Sequence, residues 1–302
     1  MASHPRAGGA LERAAPLLFV LLWSSSFIAA KVGLRLISPL LFVAIRLVLA
    51  AAVLTALALA RGGFRGMRGH LIHCAIAGIL LNALLLMTAH VAMTHIAAAP
   101  IALVQTLNPL LTAILAIPLL RERLSRGQWL GLALGLAGVV LVVGRAALSS
   151  RVEFSGLMLT ALGVAGMTGG TLYYGRFCRG APLLAGTAVQ FLAAAAFALL
   201  GMAIFEMPHA DWTGPAVVAV VWNTAAVSLG GMALYVLMLA RGTAARAAGN
   251  FYLVPGTAGL LAWALLGEGL ALPTLAGLAI SALGCWLLGR RDKASGGAIG
   301  GD

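Results

Sequence analysis

Acidic side chains are scarce in this sequence. Eight occur among 302 residues, against 20 Lys and Arg, and charged residues of both signs make up only 9%. Glu12, Glu122, Glu153, Glu206, Asp211, Glu268, Asp292 and Asp302 all lie in tails, connections or the ends of apolar runs. A cationic solute would find no counter-charge at depth, and a proton no deep carboxylate relay. Cysteine is as sparse. Cys74, Cys178 and Cys285 are odd in number, far apart in the chain and without C-x-x-C spacing, which argues against a disulfide framework and against a metal site. No G-x-S-x-G or Asp pair falls within an apolar run, so a membrane-embedded hydrolase lacks its nucleophile and base. A channel would show rings of charge or a repeated filter loop, and neither is visible. No cofactor is expected.

What the chain has in plenty is apolar surface, 62% of its residues. Soluble domains run near roughly 45–50% apolar and about 25% charged, which leaves a membrane-embedded helical bundle. The net charge of +12 is spread over many short connections and forms no single patch, so nucleic acid is not an expected partner. The first apolar run, from Ala15, has the look of a signal peptide, but further spans follow and it is read as retained.

About 20 apolar residues cross the hydrocarbon core as a helix. Suitable runs sit near 15–34, 39–60, 71–92, 98–120, 128–144, 154–174, 182–205, 213–239, 246–266 and 271–289. Ten spans put both termini on one side, and basic residues decide which. If the N-terminus is cytoplasmic, the inside set is Arg6, Arg13, Arg61, Arg65, Arg68, Arg121, Arg123, Arg126, Arg176, Arg179, Arg241, Arg246, Arg290, Arg291 and Lys293. The outside set is Lys31, Arg35, Arg145 and Arg151, and Arg46 lies within the second span. Fifteen against four predicts both termini in the cytoplasm.

One pattern occurs twice. Residues 107–125 read LNPLLTAILAIPLLRERLS and residues 253–271 read LVPGTAGLLAWALLGEGLA. The same offset pairs Pro109 with Pro255, Glu122 with Glu268, Gly131 with Gly277 and Gly138 with Gly284. Each repeat holds five spans, an odd number, so the second enters the membrane inverted. Inverted repeats with matching broken helices mark secondary transporters that bind substrate near the midplane. The predicted fold is an all-α integral membrane protein of ten transmembrane helices in two inverted five-helix repeats. Its parts are an N-tail 1–14, repeats 15–144 and 154–289, and a C-tail 290–302.

The candidate site follows from polar or aromatic groups at depth. Pro109 and Pro255 remove a backbone donor and crowd the carbonyls of Gln105 and Phe251, so they are either hinges facing a cavity or packing kinks. Gln105, Asn108 and Thr112 share one helix face, which lines a cavity or serves as interhelical glue. The matching face of span 9 carries Tyr252, Gly256, Gly259 and Trp263, the last near the outer end. Trp23 and Ser25 in span 1, Asn82 at the centre of span 3, and Trp222 and Asn223 in span 8 complete the candidate lining. Arg46, about 10 Å below the outer end at 1.5 Å per residue, either contacts a substrate carboxylate or snorkels outward. Glu122 and Glu268 at helix ends pair with Arg or cap the next helix. His70, His73, His90 and His95 are expected at the interface, without partner carboxylates. The glycines of spans 5 and 10, with Ser281, allow close helix approach.

The stretches WSSSFIAAKVGL, PLLFVAIRLVLAA and AMTHIAAAPIALVQTLNPLLTAILAIPLLRERLSRGQWLGLALGLAGVVLV resemble the EamA-type transporters of the drug/metabolite transporter superfamily. The resemblance spans nearly the whole chain. It implies the ten-span two-repeat plan, places an Arg at position 46 and acids at 122 and 268, and packs span 5 against span 10. Related small multidrug transporters rely on a Glu in their first span, where this chain offers serines. The chain is most similar to bacterial exporters of aromatic and other neutral amino acids. The alternative is a drug, nucleotide-sugar or lipid-precursor carrier. Expected partners are a small-molecule substrate and the lipid bilayer, for a multi-pass monomer of the bacterial inner membrane that is not an enzyme.

Overall fold

The computed structural model describes residues 8–96, 98–122, 124–149, 153–266 and 272–289. Glu268, residues 1–7 of the N-tail and the C-tail 290–302 lie outside the described residues. Among those described there is no strand, only an isolated antiparallel bridge between Ile37 and Ala210.

The first two apolar runs form α1 (Gly8–Gly33) and α2 (Pro39–Ala60). The third is α3 (Leu71–Gly78), a π-helical segment (Ile79–Leu84) and α4 (Leu85–His95), joined end to end. The fourth is cut into α5 (Ala98–Gln105) and α6 (Leu107–Leu120), followed by α7 (Arg126–Ser149). The second half opens with α8 (Phe154–Phe177) and α9 (Leu183–Phe205). It continues as α10 (Gly214–Trp222), a second π segment (Asn223–Gly231) and α11 (Met232–Arg241). Then come α12 (Ala244–Gly249), a 3-10 turn (Asn250–Leu253), α13 (Val254–Leu266) and α14 (Leu272–Gly289). Eight stretches among the described residues are long and apolar enough to cross a membrane, and Leu272–Leu288 is a shorter apolar helix.

Both proline breaks appear where the freed carbonyls require them. Thr106 interrupts the helix directly after Gln105, and the 3-10 turn contains Phe251. Each proline sits in the first turn of the helix that follows, where a missing N–H costs nothing. The π segments were not legible in the residues. A shift of 146 residues carries 79–84 onto 225–230, inside the second π segment, so this irregularity too is repeated. A π turn rotates the residues after it relative to those before, and such turns gather at functional sites.

Glycine pairs fix the contact between α7 and α14. A Cβ on Gly131 would stand 2.7 Å from the Gly284 carbonyl, and one on Gly277 2.5 Å from the Gly138 carbonyl. Ser281 Oγ donates to the Gly135 carbonyl at 3.3 Å. Only bare backbone fits there. The main core holds Leu47, Leu81, Phe191 and Tyr235, all fully buried, while Leu130 and Leu200 stay more than half exposed, as a lipid-facing surface requires.

Two acids act as caps supplied from a distant part of the chain. Glu206 takes the Leu40 and Leu41 amides at 2.9 and 2.8 Å and the Ser38 hydroxyl at 2.8 Å, satisfying orphan donors at the start of α2. Glu122 Oε1 accepts from the Ala244 amide at 2.9 Å, at the start of α12.

Candidate functional site

Arg46 is the charge that the fold must accommodate. It is 1% exposed on α2, and its groups are met by the second π segment: Nε donates to Ser228 Oγ at 3.0 Å and Nη1 to Asn223 Oδ1 at 3.3 Å. Asn223 is oriented by its own Nδ2, which donates to the Ala219 carbonyl at 3.1 Å. Nη2 of Arg46 has no partner among the described residues. An unmet donor on a buried charged group is costly, so a buried guanidinium with one nitrogen unmet beside a cleft carries information.

Arg46 lines that cleft with His90, Asn108, Gln105, Trp23 and Phe251. His90 Nδ1 lies 2.7 Å from the Leu86 carbonyl and the ring stacks on Phe42 with centroids 5.6 Å apart. The carbonyl can only accept, so Nδ1 carries a proton, and Nε2, buried without a partner among the described residues, is the acceptor of the neutral ring. Asn108 Oδ1 accepts from Thr112 at 3.2 Å and Thr168 at 2.9 Å, leaving Nδ2 unpartnered. Three residues lining the cleft, on three different helices, thus carry buried polar atoms without a partner among the described residues: two donors and one acceptor. It encloses about 40 Å³, room for only a few waters.

The EamA-like transporter family profile matches residues 14–144 and, a second time, residues 154–290. The chain belongs to that family. This transporter is therefore a multi-pass membrane protein, and its family consists of transporters rather than enzymes. A solved structure described as "Crystal structure of protein" superposes with a TM-score of 0.77, covering 91% of this chain and 95% of that one. Its 23% identity makes the likeness one of fold. No curated protein matches the transporter.

The transporter distributes the residues expected at its site unevenly. Trp23, Gln105, Asn108 and Arg46 line the cleft. Asn223 does not, but holds Arg46 from behind. On α1 the lining residues are Trp23, Ser26, Phe27 and Ala30, spaced i, i+3, i+4 and i+7 along one face. Ser25 falls off that face. Its hydroxyl donates to the Leu22 carbonyl at 2.7 Å and accepts from Trp222 Nε1 at 3.0 Å, on the outside of the bundle. Trp222 and Trp263 are 47% and 52% exposed and line no cavity described here. Tyr252 is buried against Gly135, where a Cβ would meet its ring. Asn82 is fully buried with neither amide atom partnered, yet lies outside the cleft, as does Gln190 on α9 in the same state.

Two expectations need correction. His90 is not interfacial: it is 4% exposed and in the cleft, because α4 presents Leu86, His90 and Met93 on one face. That i, i+4, i+7 spacing was the available signal. His95 does have a partner carboxylate, Glu153 Oε2 at 3.3 Å. Cys74 and Cys178 are free and fully buried, and Cys285 is half-buried. Phe251 was singled out for its carbonyl, and its ring proves to be part of the lining.

Proposed function

We propose that this transporter exports small neutral or zwitterionic amino acids from the bacterial cytoplasm by alternating access around the central cleft. In this reading ten helices cross the inner membrane as two inverted repeats, both termini are cytoplasmic and one chain suffices. The observation that carries it is the Arg46 guanidinium, which lines the cleft with Nη2 unpartnered while no acidic side chain lines it. A guanidinium held at Nε and Nη1 offers its remaining donor to a carboxylate. Asn108 Nδ2 supplies a second donor, and His90 Nε2 an acceptor for the ammonium end. The faces of Trp23, Phe27 and Phe251 add cation–π and apolar contact. An intrinsically cationic drug would meet one charged group among the lining residues, Arg46, and it is of the drug's own sign. From about 40 Å³ the cleft must widen to take any of these solutes, and a neutral amino acid demands less widening than a nucleotide-sugar or lipid precursor.

The deciding experiment is counterflow in proteoliposomes with radiolabelled leucine, phenylalanine, a quaternary ammonium drug and a nucleotide-sugar. Exchange of the amino acids alone supports the reading. Exchange of the drug or nucleotide-sugar without the amino acids overturns it.

A further inference from the structure

A second cavity lies further along α1 and the 3-10 turn, which both help to build the first, and along α11, which continues the second π segment. It measures about 580 Å³ and is lined by Leu17 on α1, Met238 and Arg241 at the end of α11, Arg246, and Asn250 on the 3-10 turn, with Cys285 and Trp286 of α14 closing one side. Drug-sized pockets span roughly 300–1,000 Å³, so this one, unlike the central cleft, has room for a whole small solute. By the distribution of basic residues it faces the cytoplasm. Arg246 is steadied by its Nε, which donates to the Leu288 carbonyl at 3.1 Å. Asn250 Nδ2 donates to the Arg246 and Ala247 carbonyls at 3.1 and 3.2 Å. The wall is thus cationic and polar on one side and apolar on the other.

Four aromatic rings lie along the chain between residues that line one space and residues that line the other. Phe19 and Trp23 follow Leu17 on α1, Tyr235 precedes Met238 on α11, and Phe251 follows Asn250. Ring centroids lie 5.3 Å apart for Phe19–Trp23, 5.6 Å for Phe19–Tyr235, and 5.0 and 5.1 Å for the edge-on contacts of Phe251 with Phe19 and Trp23. Trp23 and Phe251 belong at once to this cluster and to the lining of the central cleft. Phe251 also sits where Pro255 breaks the helix, so the ring nearest the proline break is the one least held by regular backbone. Ser24 Oγ donates to the Val254 carbonyl at 3.1 Å, latching α1 to the start of α13 beside the rings.

We infer that the cavity beneath the ring cluster is a loading site, which takes the carboxylate of an amino-acid-like solute at Arg241 and Arg246 before the rings part and admit it to the central cleft. This rests on the amino-acid reading above. The shared α1 and 3-10 turn are what favour it over a lipid headgroup, because a lipid site has no need to be built on the elements that carry the central cleft.

Cys285 supplies the reporter, since Cys74 and Cys178 are fully buried. The full-length transporter in phosphatidylcholine nanodiscs is alkylated with a maleimide dye in the presence of leucine, of 3-methylbutylamine (leucine without its carboxylate), or of neither. The same is done with Leu17→Cys, which is 64% exposed as Leu and lines the same cavity. Leucine should slow alkylation several-fold at both positions and the amine should not. Protection should persist in Arg46→Gln and vanish in Arg241→Gln with Arg246→Gln. Equal alkylation with and without leucine, in a protein that still exchanges leucine in proteoliposomes, overturns the loading site alone. Slowing by added phosphatidylglycerol but not by leucine overturns it in favour of a lipid site. Failure of both exchange and protection overturns the amino-acid reading as well.

Discussion

Arg46 on α2 and Ser228 on the second π segment, 182 residues apart in the chain, are joined by a 3.0 Å hydrogen bond from Nε to Oγ. That bond and the one to Asn223 hold the guanidinium and leave Nη2 unpartnered among the described residues, on a side chain that lines the cleft. Arg46→Gln should raise KM for an amino acid more than it lowers membrane abundance. Arg46→Lys should not restore affinity, because an ammonium cannot span Ser228 and Asn223 while presenting a third donor in a fixed plane. Asn223→Ala should cost about 1.5–3 kcal/mol of stability, the usual worth of a hydrogen bond to a charged group, read as a lower Tm in detergent. A wild-type KM in Arg46→Gln would make the arginine structural.

The α7–α14 seam should tolerate no side chain. Gly138→Leu would drive carbon into the Gly277 carbonyl and Ser281, where even a Cβ would stand 2.4–2.5 Å away. Overpacking of this kind costs about 1–3 kcal/mol or more, so folded yield and Tm should fall. Gly144→Ala is the control, since its nearest neighbour is a Val140 methyl at 3.4 Å. Equal melting of the two variants would show that the helices separate without penalty.

Glu206 is expected to matter for stability and not for transport. Glu206→Ala removes the acceptor for two amides and the Ser38 hydroxyl at the start of α2, a loss of about 1–2 kcal/mol on capping and dipole grounds. Thermal melting should record it while KM stays constant. A changed KM with an unchanged Tm would contradict a capping role.

The prolines should act in opposite senses. Pro109→Ala and Pro255→Ala each return an N–H towards the Gln105 or Phe251 carbonyl and favour a continuous helix. Because the repeats are inverted, one change should favour the inward-open state and the other the outward-open state, seen as opposite shifts in alkylation of a cleft cysteine at Ser26. A bias of about 1.4 kcal/mol moves the populations tenfold. The double variant should lie between them. Unchanged accessibility with unchanged transport would leave the breaks as symmetry alone.

Topology has its own test. Cysteines at Arg65 and Ala294 should react with an impermeant reagent only from the cytoplasm, and one at Met207, 94% exposed, only from outside. Arg65 is the better choice over neighbouring Gly66, whose φ of +79° would strain any side chain. Labelling of position 294 in intact cells would rule out ten spans with cytoplasmic ends.

The apolar runs, the paired prolines and the paired glycines were legible from the sequence because each acts through its own backbone. A run of about 20 apolar residues has no stable place outside lipid. Proline breaks its own helix at a fixed distance, and that is where the 3-10 turn and the Thr106 gap lie. Gly131 and Gly138 announce close packing whatever faces them.

What surrounds each polar group was decided only by the tertiary structure. Ser25 and Ser26 are equivalent as residues, yet one meets Trp222 outside the bundle and the other lines the cleft, because about 100° of helical rotation separates neighbours. His90 looked like an interfacial residue until Phe42 on another helix stacked on it. Arg46 could have snorkelled, and its inward path exists because the π segment supplies Ser228 and Asn223 at the right height. Two groups remote in the chain acquire a joint property only when the fold sets the distance between them, and no local pattern encodes that distance.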